Sequence, residues 1–224
     1  GGSVARRNAR AEGGPYGAVA DARALPPEAW RRRRKEGRQT MSLAVENAKA
    51  AVAELRKVRQ ARLYRPDPIP PDVVQELLEV ARWTGSSRNS QPWHFIVIDD
   101  KDVLRRISEL RPNINWVADA PLAIAIVLDG DNPTTEAFDE GRITERLLIA
   151  ARLLGLGGGT AWYGTEEQRA EAKRILGIPP ERHAHSVVVL GYPVTTKDHR
   201  PNPVAGGRKP LEEIVSYNRY GNRR

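Results

Sequence analysis

The run Leu122-Ala123-Ile124-Ala125-Ile126-Val127-Leu128 constrains this chain more than any other stretch. Seven consecutive apolar residues without alternation leave no face for water, so as a strand they must be covered on both sides. The run is far short of the ~18 apolar residues that a membrane-spanning helix needs. A sheet with helices on both faces is therefore expected. Phe95 to Asp99 and Ser186 to Leu190 supply further strands of it.

Helical patterns lie between these runs. Val45, Ala48, Val52 and Leu55 recur at helical spacing from Leu43 to about Val58. Val73, Val74, Leu77, Leu78 and Ala81 form a second stripe, opened by Pro71 and Asp72 in a first turn. Ile143, Leu147, Ala150, Ala151 and Leu154 mark the longest pattern, over 137–154. Shorter helices are expected around Val103 to Leu110 and up to Gly177. The glycines from Gly155 to Gly159 read as a helix stop. No Lys-Ser/Thr follows them, and they close a helix rather than open one, so they are not a phosphate-binding fingerprint.

Charge separates the chain into two parts. Residues 1–40 hold ten Lys/Arg against four Asp/Glu, while the other 184 hold 26 against 24, within a formal net charge of +8. The first part has almost no apolar periodicity and cannot offset its ordering entropy by burial. It is expected to be a disordered or extended basic arm, with the folded domain at 41–224. The run Arg31 to Lys35 could contact nucleic acid, which gives the alternative function, a non-catalytic nucleic-acid-binding or interaction protein. A solvated tail is the expectation, because the body is nearly balanced in charge. There is no cysteine, which removes disulfides, thiolate metal sites and cysteine nucleophiles and suits a reducing compartment. With no secretory or membrane segment recognised, cytoplasm is the expected location. His183 and His185 alternate before the last strand without a third ligand, and Asp129 and Asp131 lack the later positions of a calcium loop.

The chemistry concentrates in Gly85-Ser86-Ser87-Arg88-Asn89-Ser90-Gln91-Pro92-Trp93-His94-Phe95. Short hydroxyl and amide side chains in a helix-to-strand loop can present donors to a polar ligand without crowding it. Pro92 is expected to hold Gln91 extended. This string resembles the S-S-x-N-x-Q-P-W signature of the nitroreductase family of FMN-dependent oxidoreductases, with Gly85 where proline is usual. Three later or earlier stretches match in order. Arg59-Gln60-Ala61-Arg62-Leu63-Tyr64 is similar to the family's phosphate-binding R-x-S-x-R segment, with Gln60 at the serine position and Val58 where an arginine often stands. Ala161-Trp162-Tyr163-Gly164 resembles the short strand behind the reactive face of the flavin. Gly207-Arg208-Lys209-Pro210-Leu211 resembles the family's closing R-x-P-L segment.

The resemblance implies an α+β fold, a mixed central sheet flanked by helices. It implies FMN, with NAD(P)H as electron donor, a small-molecule acceptor of nitroarene, quinone or enone type, ping-pong turnover and a homodimer. Deazaflavin in place of FMN stays open. The family's contacts fall on Arg59, Arg62 and Arg208 for the phosphate, and on Gln60, Ser86, Ser87, Asn89 and Asn113 for the ribityl chain and ring. Tyr163 and Gly164 would lie at the flavin edge. Trp116, Phe138 and Tyr163 are the aromatic candidates for the open face. No catalytic side chain and no metal are implied, nor is a membrane or a nucleic acid as partner: an enzyme with so little acid–base chemistry needs a cofactor for the difficult step.

Overall fold

A computed structural model describes residues 27–194 and 207–223, and the chain divides after Lys57 into two units. In the first, α1 (Pro27–Leu55) is one helix of 29 residues. It is opened by a proline whose fixed φ suits a first turn. The division expected at 40/41 falls inside this helix, so residues 27–40 are helical where an irregular arm was expected. Residues 1–26 lie outside the described residues. The discrepancy has a physical source. Apolar periodicity reports burial, whereas Ala, Arg, Glu, Lys and Gln favour a helix whether or not it buries anything. No helix among the described residues is long and apolar enough to cross a membrane.

The second unit is built on a sheet of order β1-β2-β4-β3, from β1 (Trp93–Ile98), β2 (Leu122–Leu128), β3 (Gly157–Trp162) and β4 (Ser186–Gly191). All three ladders are antiparallel. The mixed character expected of the sheet is confined to a parallel bridge from Gln60 to Gly158. Every residue of β2 is buried. Leu122, Ile124, Ile126 and Leu128 point into one core, against α2 (Pro71–Arg82) and α4 (Pro133–Leu153). Ala123, Ala125 and Val127 point into the other, with α3 (Lys101–Ser108) and α5 (Glu166–Leu176). The smaller residues on that face leave room for Tyr64, Tyr163 and Trp116, which pack there.

The chain uses its glycine run twice. Gly155, with φ of +77°, is the helix stop that was expected after α4. Gly157 to Gly159 instead open β3, earlier than the strand looked for at Ala161 to Gly164. A Cβ on Gly158 would come 2.7 Å from Leu148 Cδ2, and one on Gly159 would come 2.6 Å from the Ala61 carbonyl oxygen. These glycines let two neighbouring segments approach the strand, one on each face.

Candidate functional site

The backbone of residues 60–65 is pinned as a strip along the sheet. Ala61 N–H donates to the Gly158 carbonyl at 2.8 Å and Arg65 N–H to the Tyr192 carbonyl at 2.8 Å. The buried Tyr64 hydroxyl donates to the Ala61 carbonyl, and burial pushes its pKa up, so it stays protonated. With the backbone fixed, Arg59, Gln60 and Arg62 turn their side chains outward and are exposed. The Arg62 guanidinium lies 5.7 Å from the centre of the Trp116 ring. Trp116 donates from Nε1 to the Asn113 carbonyl at 3.1 Å, and its Cη2 lies 3.0 Å from where a Cβ on Gly159 would stand. Four expected residues, Arg59, Gln60, Arg62 and Asn113, are thus gathered around the start of β3. Trp116 is covered by Arg62 and Tyr64, which uses its ring as a floor for the strip rather than as an open aromatic face.

At the other end of β3 the outcome differs for the two expected residues. Tyr163 is fully buried, and its N–H donates to the His185 carbonyl at 2.9 Å. Neither its ring nor its N–H is free for a flavin edge, because Tyr163 shares the inward face of Ala161. Gly164 is accessible as backbone, with φ of +106°. Its carbonyl accepts from Arg169 Nη1 at 2.6 Å, and Arg111 Nη1 reaches the Trp162 carbonyl at 3.5 Å. Beside it Trp162 stacks on His185, 5.5 Å between centroids and 7° between planes. His185 Nδ1 lies 2.7 Å from Glu140, whose other oxygen accepts from Ser186 Oγ at 3.0 Å. Arg111 and Trp162 were missed from sequence, since one precedes a proline in a loop and the other looks like any strand aromatic. Phe138 is 68% exposed on α4, as an open-face aromatic must be.

The signature loop forms a separate group. Ser87–Asn89 is a single tight turn, and Arg88, Asn89 and Gln91 have φ of 52°, 56° and 49°. Gln91 is therefore left-handed rather than extended: its N–H is captured by Ser86 Oγ at 2.8 Å, which outweighs the bias from Pro92. Each left-handed non-glycine residue costs about 1 kcal/mol or more, and such strain persists only where the surroundings hold it. The hold comes from α4. Arg142 donates to the Gly85 carbonyl at 3.2 Å and Arg146 to the Trp83 carbonyl at 3.0 Å, with Arg142 itself fixed by buried Asp139 at 3.1 Å. Ser87, Arg88 and Asn89 are left exposed on a rigid base, with Ser86 half-buried beneath them.

Arg208 belongs to a third place. It is exposed on residues 207–223, every one of which is exposed, and the backbone hydrogen bonds described for that segment, such as Val215 to Leu211 and Tyr217 to Asn222, are internal to it. The strip and the loop are likewise anchored on different elements, β3 with β4 and α4. Chemically the two groups are complementary. The strip offers guanidinium forks, which match a phosphate, and the loop offers short neutral donors, which match carbonyl and ring-nitrogen acceptors.

Comparison with known proteins bears on the family and the fold. The nitroreductase family model matches residues 55–127, which include the strip and the loop. A protein of Archaeoglobus fulgidus with the provisional name NADH dehydrogenase/NAD(P)H nitroreductase is 34% identical over 150 residues, covering 62% of this chain and 83% of that protein. A protein of the same provisional name from Methanothermobacter thermautotrophicus is 32% identical over 151 residues, 65% and 79% of the two chains. Among solved structures, an FMN-dependent nitroreductase from Clostridium difficile superposes with a TM-score of 0.66 at 22% identity, over 75% of this chain and 99% of that one, which fixes the fold. Fold, signature loop and the two archaeal relatives converge, and the chain belongs to the nitroreductase family.

Proposed function

We propose that this chain is an FMN-dependent oxidoreductase that takes electrons from NAD(P)H and passes them to a small nitroarene, quinone or enone acceptor in the cytoplasm. The observation that carries the reading is the signature loop, in which Arg88, Asn89 and Gln91 are left-handed, the lead-in at Trp83 and Gly85 is tied to arginines of α4, and Ser87 and Asn89 are exposed. Strain of this kind clusters at ligand-binding sites, where it preorganises the loop. Bound FMN would supply the two-electron chemistry that none of the described side chains supplies. In this reading Arg59, Arg62 and Arg208 hold the phosphate, Gln60 and Asn113 the ribityl chain and ring, and Ser86, Ser87 and Asn89 of a second copy the far side of the ring. Gly164 offers its backbone to the ring edge, and its own lack of a side chain is required by its φ of +106° and by Gln168, which fills the place of a Cβ. The donor leaves before the acceptor takes the same place, so turnover is ping-pong, and the loop supplied by a second copy makes the assembly a homodimer. The reading is supported by the names of relatives: a Bacillus subtilis protein 24% identical over 184 residues is an FMN reductase [NAD(P)H].

The test is direct. Purified protein is expected to be yellow and to release FMN on denaturation, with parallel lines in initial-velocity plots of donor against acceptor. A colourless protein that takes up no added FMN overturns the flavin reading; intersecting lines overturn ping-pong turnover alone.

A further inference from the structure

The basic run that the oxidoreductase reading leaves unused is not a shapeless tail. It lies in the opening turns of α1, and Arg31, Arg32, Arg33, Arg34 and Lys35 are all exposed. Five consecutive positions exceed the 3.6 residues of a helical turn, so cationic side chains leave the helix on every side. This girdle works against the helix that carries it. Arg31 faces Arg34 and Lys35 at like-charge i,i+3 and i,i+4 spacing. Within the helix, Glu28 stands in the first turn, and the Glu36 carboxylate is 3.8 Å from Arg32 with both exposed. The geometry points to an external polyanion, and we propose that the opening turns of α1 bind double-stranded DNA by its phosphates, without sequence preference, as an activity additional to the oxidoreductase.

Shape selects DNA among polyanions. A helix with its side chains is about 10–12 Å across, and the B-form major groove is about 12 Å wide between two phosphate walls. A cation girdle meets both walls there. A flat anionic membrane would meet one side of the helix only and would reward an apolar face, which residues 31–36 lack. The deep, narrow major groove of duplex RNA does not admit a helix. Four of the five cations are arginines, whose planar fork matches a phosphate in two hydrogen bonds.

The experiment uses the full chain and a labelled DNA duplex of about 20 base pairs, read by fluorescence anisotropy across a salt series. With about four phosphates neutralised, the logarithm of affinity is expected to fall with the logarithm of salt at a slope near −3.6, roughly a hundredfold loss between 50 and 200 mM. The quadruple variant R31Q/R32Q/R33Q/R34Q is expected to lose the binding while keeping the flavin content of the parent, because glutamine sustains an exposed helix and residues 58–224 are untouched. Helical ellipticity of the parent should also rise when duplex is added. Absence of binding at low salt, or a quadruple variant that binds like the parent, overturns the proposal. Duplex RNA bound as tightly as DNA removes the groove argument and overturns it too. Phosphatidylserine vesicles bound in preference to DNA assign the girdle to a membrane surface instead. None of these outcomes touches the flavin reading, whose failure would show as colourless parent protein.

Discussion

At the scale of single residues, Arg62 has two possible employments, and they can be separated. It covers Trp116 as a cation over a ring, worth about 0.5–1 kcal/mol at an exposed site. In the proposed site it also meets a phosphate, where a charge-assisted hydrogen bond contributes about 1.5–3 kcal/mol. Arg62→Ala should therefore weaken FMN binding by about tenfold to a hundredfold, while the apoprotein loses no more than about 1 kcal/mol. Arg62→Lys should restore only part of the affinity, because an ammonium lacks the fork. Flavin titration and denaturant unfolding of the three proteins check both halves. Unchanged affinity with lowered stability would leave Arg62 as a cover for Trp116 and nothing more. The exposed placement of Arg62 was legible from its chemistry, but its ring partner was not. Trp116 lies far along the chain, and its packing against Tyr64 and close to Gly159 brings the two segments together.

At the scale of elements, β2 and β3 mark the extremes of what a sequence can disclose. A strand buried on both faces has one solution for its side chains, so Leu122 to Leu128 announces itself. Gly157 to Gly159 have no side chains to pattern: they form a strand through the ladder to β4, and they are glycine because of Ala61, Leu148 and Trp116, none of them local. The signature loop is intermediate: its string was recognisable, but its left-handed turns depend on a hydrogen bond from Gln91 to Ser86 Oγ that no propensity encodes. Tyr163 was expected at the flavin edge on resemblance alone, and the register that sends Ala161 inward sends Tyr163 inward with it. The close approach at Gly159 makes a prediction. A Cβ there would stand 2.6 Å from a backbone oxygen of the strip, which cannot yield as a side-chain tip can. Gly159→Ala should cost about 1–3 kcal/mol and also release flavin, since the strip that carries Arg59, Gln60 and Arg62 is pushed off the sheet. Gly141→Ala, in α4 with nothing within 4 Å, should be neutral or stabilising by about 0.5–1 kcal/mol. Thermal melts with and without added FMN decide it, and a Gly159→Ala protein that melts and binds flavin like the parent would detach the strip from the site.

At the scale of the whole molecule, the proposed homodimer assigns the strip and the loop of one site to different copies. The strip hangs from β3 and β4 and the loop from α4, and the proposed site needs donors from both. If the loop of one copy completes the strip of the other, lesions in the two groups should complement in a mixed dimer. A chain carrying Arg62→Ala, mixed by co-expression with a chain carrying Ser87→Ala and Asn89→Ala, forms a heterodimer with two unlike sites. One site joins the damaged strip to the damaged loop. The other joins an intact strip to an intact loop and should bind FMN with parental affinity. Each homodimeric variant, by contrast, has one lesion in both sites and should bind about tenfold or more weakly throughout, at one to a few lost hydrogen bonds per site. The isolated heterodimer is therefore expected to show one tight and one very weak flavin. If strip and loop of the same copy form the site, every site in the heterodimer carries one lesion and no tight flavin appears. Titration of tagged, purified heterodimer separates the two arrangements: two weak sites would return the loop to its own subunit.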